Sequence, residues 1–459
     1  MNLRLLSALR RDHGLAAERD GDIYRIRTQG GPWARILLPD DLPVEGEAFA
    51  QVAALTVLQH PCDPATSPTV EVVATPDLHP GDGIAVGSVL LTTEDVVVPE
   101  AIGSDAGCGM RCVVLDLQCD TVLLYKAEIV RLLTADLLVG GTRDVAMPGE
   151  ALRAALTGGI PAWKRAVATS TGQGFLFTLD LETLAGAEPV TGAADSVTGL
   201  AQRFAHPMVR DQGLGTIGRG NHFVELQRVE QIVDKRAAYT LGVRPESVIL
   251  TIHSGSREVG RTLAGAWKTW SREAWPQDRK RPGIVPIAGK DCDQYIGAHN
   301  AALNYAALNR LLLGEIVLHR LRQATGEKIA AKLVCDAPHN SVTPYCGGWL
   351  HRKGAAPCLP GHPLVIPGSM GDATWLCLGL DASRMLDSAS HGAGRAVSRT
   401  KIRHGTTAAV PTCVTLREER LVEEAPSAYK PVEQVIRVQE NAGMLARIVK
   451  LTPILTFKA

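Results

Sequence analysis

The chain is poor in aromatic residues, 4% of 459, and carries no net charge, with 48 Lys+Arg against 48 Asp+Glu. It has no Cys-x-x-Cys pair among its ten cysteines, and no uninterrupted apolar run of bilayer length. Each absence excludes something. Scattered thiols without a framework argue against a disulfide scaffold and for a reducing, cytoplasmic setting. A balanced charge means that a nucleic-acid partner must be held by a local basic patch and not by a global field. The missing apolar run argues against a membrane partner. The start, MNLRLLSALRRDHG, places arginines inside its short apolar stretch and lacks the core of a signal peptide. GDG at 81–83 and GSMG at 368–371 are plain turns. Neither belongs to a strand–GxGxxG–helix unit or a Walker loop, so a Rossmann or P-loop nucleotide site is not supported.

What is present is an ordinary globular balance, 45% hydrophobic and 21% charged, with 45 Gly and 27 Pro. That composition supplies a large core and many loops on which a site can be built. Length suggests two or three domains, but no long linker divides the chain. The expectation is a single large α+β domain over 1–459, with residues 1–60 as a small entry segment. Ile23–Ile26 reads as a short strand and Glu47–Gln59 as a helix. From Val70 to Leu117, β-branched runs alternate with Gly-rich turns, which is strand texture. Residues 121–135 read as one amphipathic helix, while 140–200 give no clear pattern. HFVEL and SVILTI read as strands. Apolar residues at three- and four-residue steps from Ile296 onward, stopped by Gly326, predict a long helix. Pro/Gly-rich loops are expected over 355–371, then a mixed tail with a short helix and a final strand.

Several histidines sit in Gly/Ser/Asn-rich stretches beside apolar runs: TPDLHPGDG (75–83), GTIGRGNHFVEL (215–226), TIHSGSREVG (251–260), CDAPHNS (335–341) and SHGAGRAVSR (390–399). SDAGCGMRC (104–112) adds an acid and a thiol. Asp105 and Cys108, three apart, could share one ion, or the sulfur could bridge two. His222, His253 and His339 supply imidazoles from separate stretches. This mixed O/N/S set suits a borderline transition ion. Taken singly, Cys108 reads equally as a small buried side chain and each histidine as a packed one. No HxxxH spacing decides the matter, and only the combination points to metal. His391 in SHGAGR could be an exposed nucleophile beside a phosphate-cradling turn, or an incidental histidine in a turn. Arg257, Arg395 and Arg399 could fork phosphate oxygens or make loop salt bridges.

In order, DAGCGM, GNHFVE, HSGSR, PHN, GSMG, HGAGR and AYK resemble the RtcB family of RNA ligases, from about residue 70 to the C-terminus. NYAALNR (304–310) is also similar to that family. The resemblance implies a single domain with central β-sheet layers surrounded by helices. It implies one manganese ion on Asp105, Cys108 and His222, and a second on Cys108, His253 and His339. His391 would receive GMP from GTP, and Asp77 would orient it. Asn221, Phe223, Glu225, Asn340, the Pro367, Gly368, Ser369, Met370 turn and Gly392, Ala393, Gly394 would contact the nucleotide. Tyr429 and Lys458 would stack on and hydrogen-bond the guanine. Arg257, Arg395 and Arg399 would hold RNA phosphates.

The implied reaction joins an RNA 3′-phosphate or 2′,3′-cyclic phosphate end to a 5′-hydroxyl end, in RNA repair or tRNA splicing, with GTP as co-substrate. An archease-type activator is an implied partner. The chain departs from the family at Ala106, at its Lys458-Ala459 end, and over 140–200 and 270–295, segments that bear on which RNA is accepted. Two other readings are a metal-dependent RNA-end phosphodiesterase that has lost ligation and a non-catalytic RNA-binding protein. The first predicts a damaged guanylylation loop and the second lost metal ligands, yet the resembling residues are all in place.

Overall fold

In the computed structural model, residues 3–139, 145–172, 174–197, 200–397 and 412–459 are described. The architecture is α+β, as the sequence predicts. Two large sheets dominate it. A seven-stranded sheet runs in the order Ala16–Asp20, Ile23–Arg27, Ala34–Leu37, Thr69–His79, Val86–Thr93, Gly348–Lys353, Asn340–Tyr345. An eight-stranded sheet runs Ala331–Pro338, Gly109–Gln118, Ser247–Ser254, Phe223–Ile232, Leu445–Lys458, Thr374–Gly379, Pro363–Pro367, with Cys413–Thr415 parallel beside Leu445–Lys458. Ser247–Ser254 is buried at every position because it has a strand on either side and protein on both faces. That is why it reads as a continuous apolar run and not as an alternation.

The helix Lys290–Thr325 packs on one face of the eight-stranded sheet and forms the centre of the largest core cluster. Acids in its first turn (Asp291, Asp293) suit the helix dipole. Gly326, at φ +73°, ends it in the left-handed conformation that glycine adopts without strain. By length and composition this helix could cross a bilayer, but 94% of its most apolar window is buried inside the protein. Its polar residues explain its placement. Asn304 bonds the backbone of Leu156 and Val190, and Asn309 bonds Thr216, Ser254 and Gly255. Arg310 pairs with Asp336 at 2.7 Å and donates to the Gly107 and Ser254 carbonyls. Asp336 also meets Arg111 at 3.1 Å, and this triad is almost wholly buried.

Several elements differ from the expectation. The helix near Glu47 spans Gly46–Ala54 and passes into a tight turn at Leu55–Val57. There the Thr56 hydroxyl bonds back to the Ala53 carbonyl, competing with the helical ladder. The helix expected over 121–135 breaks at Tyr125 into Cys119–Leu124 and Lys126–Leu133, followed by a wide turn, Thr134–Val139. That turn carries Asp136 onto Arg320 of the long helix. The patternless 140–200 stretch contains the helix Gly149–Ala168, interrupted at Gly158 and Gly159, so no single periodicity runs through it. The loops expected over 355–371 contain the strands Ala355–Pro357 and Pro363–Pro367. The second is an edge strand with a proline at each end, a position where the missing N–H costs no ladder bond.

Asp336→Ala should cost about 3–5 kcal/mol, because it leaves two buried guanidinium groups without their carboxylate. Urea unfolding measures this, and a loss under about 1 kcal/mol would remove the triad from the account.

Candidate active site

Four candidate ligands meet at one end of the eight-stranded sheet. Cys108 and His222 immediately precede Gly109–Gln118 and Phe223–Ile232, His253 is the penultimate residue of Ser247–Ser254, and His339 directly follows Ala331–Pro338. Antiparallel register puts them at one level, with Met110 and Phe223 opposite His253, and Gly109 opposite Pro338. His339 is also the single residue between the two sheets, since Asn340–Tyr345 belongs to the seven-stranded one. The Cys108 Sγ lies 3.1 Å from His222 Nε2 and 3.2 Å from His253 Nε2. His253 Nε2 is 3.3 Å from His339 Nε2, and Asp105 Oδ2 is 2.9 Å from His222 Nε2. The sulfur thus sits between two groups of donors.

The donor chemistry fits a divalent cation. His222 Nδ1 lies 3.1 Å from the Ile217 carbonyl and His253 Nδ1 3.1 Å from the Asn221 carbonyl. Each Nδ1–H therefore donates outward and each Nε2 lone pair faces the cluster. Burial pushes His253 and His339 well below the ordinary imidazole range, which keeps them neutral. Burial raises Asp105, but the His222 contact outweighs it and holds the carboxyl below its usual value. Its buried Oδ1 has no hydrogen-bond partner among the described residues. Burial, aided by Asp105, pushes the Cys108 thiol up, a shift that a bound cation reverses. Cys108, His222 and His253 offer ligand atoms all within 4.8 Å of one another.

His391 borders this cluster, its ring centroid 4.7 Å from that of His339. Its Nδ1 is 2.6 Å from Asp77 Oδ2, which also accepts from the His391 backbone N–H. Asp77 is fully buried, and Thr75 donates to its other oxygen at 2.5 Å. Asp77 lies on the strand Thr69–His79, where the pairing register shifts between Ala74 and His79. Burial alone would raise its carboxyl, but the His391 hydrogen bond and charge bring it below the usual range. Ionised Asp77 therefore fixes His391 with Nδ1–H inward and the Nε2 lone pair outward. Gly394 closes this arrangement. At φ +71°, a Cβ there would lie 2.1 Å from the Asp77 carbonyl oxygen.

An open cleft of about 540 Å³ joins these parts. It is lined by Asp105, Cys108, Asn221, His222, Phe223, Glu225, His253, His339 and Asn340, by the turn Pro367–Met370, by His391, Gly392, Ala393, Gly394 and Arg395, and by Tyr429 and Lys458. Phe223 packs edge-on against His253. Asn340 spends its amide on structure, accepting from Gly354 N–H and donating to the Asp105 carbonyl. Glu225 is buried, accepts from Thr456 and Gln227, and is pushed up to about 7 by burial. At the far end Arg395 stacks over the Tyr429 ring.

A family profile described as tRNA-splicing ligase RtcB matches residues 63–459. The chain belongs to the RtcB family. It is 31% identical to the RNA-splicing ligase RtcB2 of Escherichia coli, over 91% of this chain and 94% of that protein. It is 31% identical to the RNA-splicing ligase RtcB of Mycobacterium tuberculosis, over 83% and 95%. It is 30% identical to the tRNA-splicing ligase RtcB of Pyrobaculum aerophilum, over 83% and 86%.

Not every residue singled out in this RtcB-family chain lines the cleft. Asp77 lies behind His391. Arg257 bonds Thr216 and packs beside His222 and Gly218. Arg399 lies outside the described residues. Three cleft-side residues carry no signal in the sequence by themselves. Glu424 accepts from the Tyr429 hydroxyl and lies 3.6 Å from Lys458 Nζ and 3.9 Å from Arg395 Nη1. Lys430 is buried and donates to the Pro76 and Leu78 carbonyls on either side of Asp77. Burial lowers it to about 7 against the pull of Asp77. Lys353 lines the cleft and is likewise lowered by burial, to about 8. The AYK motif draws attention to Tyr429, and only the packing reveals that its lysine braces the orienting carboxylate.

Glu225 gives a pH test. Its folded value of about 7 stands above the ordinary 4.5, so the folded state holds the proton more tightly than the unfolded one. The associated stability is fully present below pH 4.5 and is lost as pH rises toward 7. Unfolding free energies of wild type minus Glu225→Gln should therefore fall by roughly 1 kcal/mol per pH unit across that window. Parallel pH profiles for the two proteins would rule out the shift.

Proposed function

We propose that this chain is a GTP-dependent RNA ligase that joins an RNA 3′-phosphate or 2′,3′-cyclic phosphate end to a 5′-hydroxyl end through a guanylylated His391. The observation that carries the reading is the Asp77–His391 pair, set directly against a Cys/His/Asp cluster in one cleft. The names of the relatives, RNA-splicing and tRNA-splicing ligases, support RNA or tRNA splicing as the setting; RNA repair and a cytoplasmic location belong to the proposal. An archease-type activator is a candidate partner.

Asp105, Cys108, His222, His253 and His339 would hold two manganese ions, which neutralise the GTP phosphates and polarise the α-phosphorus. Tyr429 and Lys458 bind the guanine, with Glu225 and Phe223 on its flank. Phosphates would lie against the Pro367–Met370 and Gly392–Gly394 turns, in which the Gly368 and Ala393 N–H groups already donate to the Ala373 and Pro367 carbonyls. Asp77 holds the Nδ1 proton, so His391 Nε2 attacks the α-phosphorus. A P–N bond forms, the bond to the β-phosphate bridging oxygen breaks, and pyrophosphate leaves. An oxygen of the RNA 3′-phosphate then attacks the same phosphorus and His391 leaves, giving an activated RNA end. The 5′-hydroxyl of the second RNA attacks the RNA phosphorus, loses its proton and expels GMP. A cyclic end is first opened by water at this site. Arg257, Arg395 and Arg399 are proposed to meet RNA phosphates.

Incubation with Mn²⁺ and GTP, without RNA, should add one GMP mass to the intact protein as an acid-labile adduct, and His391→Ala should show none. No adduct with Mn²⁺, Co²⁺, Ni²⁺ or Zn²⁺, even with an activating partner present, would overturn the reading. Gly394→Ala should slow adduct formation about 100-fold or more, because it forces Asp77 away from His391 and misplaces the nucleophile. A wild-type rate would show that the cradle tolerates the methyl group.

A further inference from the structure

The helix Glu258–Ala274 starts at Arg257 and packs its first turn on the Asp105 loop. A Cβ at Gly260 would touch the Ser104 carbonyl and the Ala106 nitrogen. Along it, Arg261, Lys268 and Arg272 are seven and four residues apart, so all three fall on one flank of the helix, with Arg257 capping its start. Trp267 and Trp270 turn to the other flank, where Trp267 packs on Tyr295. The side chains of Arg261, Lys268 and Arg272 are 69%, 42% and 37% exposed.

From Arg257 to Arg272 the stripe is roughly 22 Å long at 1.5 Å per residue, long enough to follow several phosphates of an extended strand. Exposed Gly265 faces open space between Arg261 and Lys268, which leaves room for a backbone to approach. Arg281, whose guanidinium reaches the Arg272 carbonyl at 3.4 Å, continues the line beside exposed Lys280. From Arg257 to Arg281 seven basic residues stand against three acidic ones, in a chain whose net charge is zero. One of those acids, Glu258, pairs with Arg261. Glu100 lies at the foot of the stripe, 3.6 Å from Lys268 and 4.0 Å from Arg272. Its turn, Pro99–Ile102, leads into Ile102, Gly103, Ser104 and Asp105 of the cleft wall.

We infer that the flank formed by Arg261, Lys268 and Arg272, prolonged by Arg281, is a track that carries the phosphate backbone of one single-stranded RNA arm toward Arg257, which packs beside His222 of the cleft wall. The inference rests on the RNA-ligase reading and adds the route of a substrate arm. It makes the divergent 270–295 segment part of substrate choice. Phosphate contacts of this kind fix the path of the strand and carry no sequence information.

The test is fluorescence anisotropy of a short labelled single-stranded RNA with a 5′-hydroxyl, measured across salt concentrations without GTP. Arg261→Gln/Lys268→Gln/Arg272→Gln should flatten the log-affinity against log-salt slope by about 2, and weaken low-salt binding about tenfold or more. A control with the same charge change on an exposed surface elsewhere, Lys235→Gln/Arg236→Gln/Arg244→Gln, should bind as wild type does. Circular dichroism and the unfolding midpoint establish that both variants fold. If the stripe variant keeps the wild-type affinity and slope, or the control loses as much, the track is wrong, and the stripe then faces an acidic protein instead. The GMP adduct on the wild-type protein is read separately. A missing adduct with stripe-dependent RNA binding sinks the ligase chemistry and leaves the track standing, while an adduct with equal binding by all three proteins does the reverse.

Discussion

The buried Arg310–Asp336 pair is the constraint on which the rest of the structure depends. It joins the long central helix to the strand Ala331–Pro338. Through the same guanidinium it holds the carbonyls of Gly107 and Ser254, which directly adjoin Cys108 and His253. A charge taken out of water must be fully satisfied or it is strongly destabilising. Arg310 is satisfied in only one relative placement of helix, strand and loop. The position of Cys108 and His253 is therefore a consequence of core electrostatics, and Asn309 reinforces it through Ser254 and Gly255.

On that foundation the site is assembled by sheet ends. Antiparallel register brings three strands of the eight-stranded sheet to a common level, and His339 turns the chain into the other sheet, which supplies Asp77. The donor cluster thus comes from the ends of the eight-stranded sheet, while Asp77 comes from the seven-stranded sheet and His391 follows Ser388–Ser390, which pairs with Ala355–Pro357 in a small two-stranded sheet. This explains why, apart from Asp105 and Cys108 in one loop, the donors show no close spacing in sequence. Cys108, His222, His253 and His339 each stand at a different strand end, and hydrogen-bonded register relates them.

Burial then sets the chemistry. His253 and His339 are kept neutral by desolvation, and Asp77 remains ionised because His391 is beside it. Lys430 braces the same neighbourhood from behind, donating to the Pro76 and Leu78 carbonyls on either side of Asp77. The cleft is polar where phosphates would lie and aromatic at Tyr429 and Phe223, the division of labour expected of a nucleotide site.

The sequence by itself determined the family, the α+β class and the long helix with its glycine stop, and it singled out the residues that the fold brings into one cluster. Those features are local: periodicity, capping and short ordered motifs survive without knowledge of the fold. It could not place the helix Gly149–Ala168, because two glycines interrupt its period, nor the strand Pro363–Pro367, because edge prolines resemble loop prolines. Nor could it decide between a buried thiol and a ligand at Cys108, or between an incidental and a poised histidine at His391. The resemblance paired Asp77 with His391 and the fold gives that pair its 2.6 Å contact; tertiary structure alone decided that Lys430 braces Asp77 from behind, that Glu424 joins Tyr429 to Lys458, and that dispersed basic residues line one helix flank. The physical reason is that these relations depend on strand register and on burial, both of which couple residues far apart in the chain.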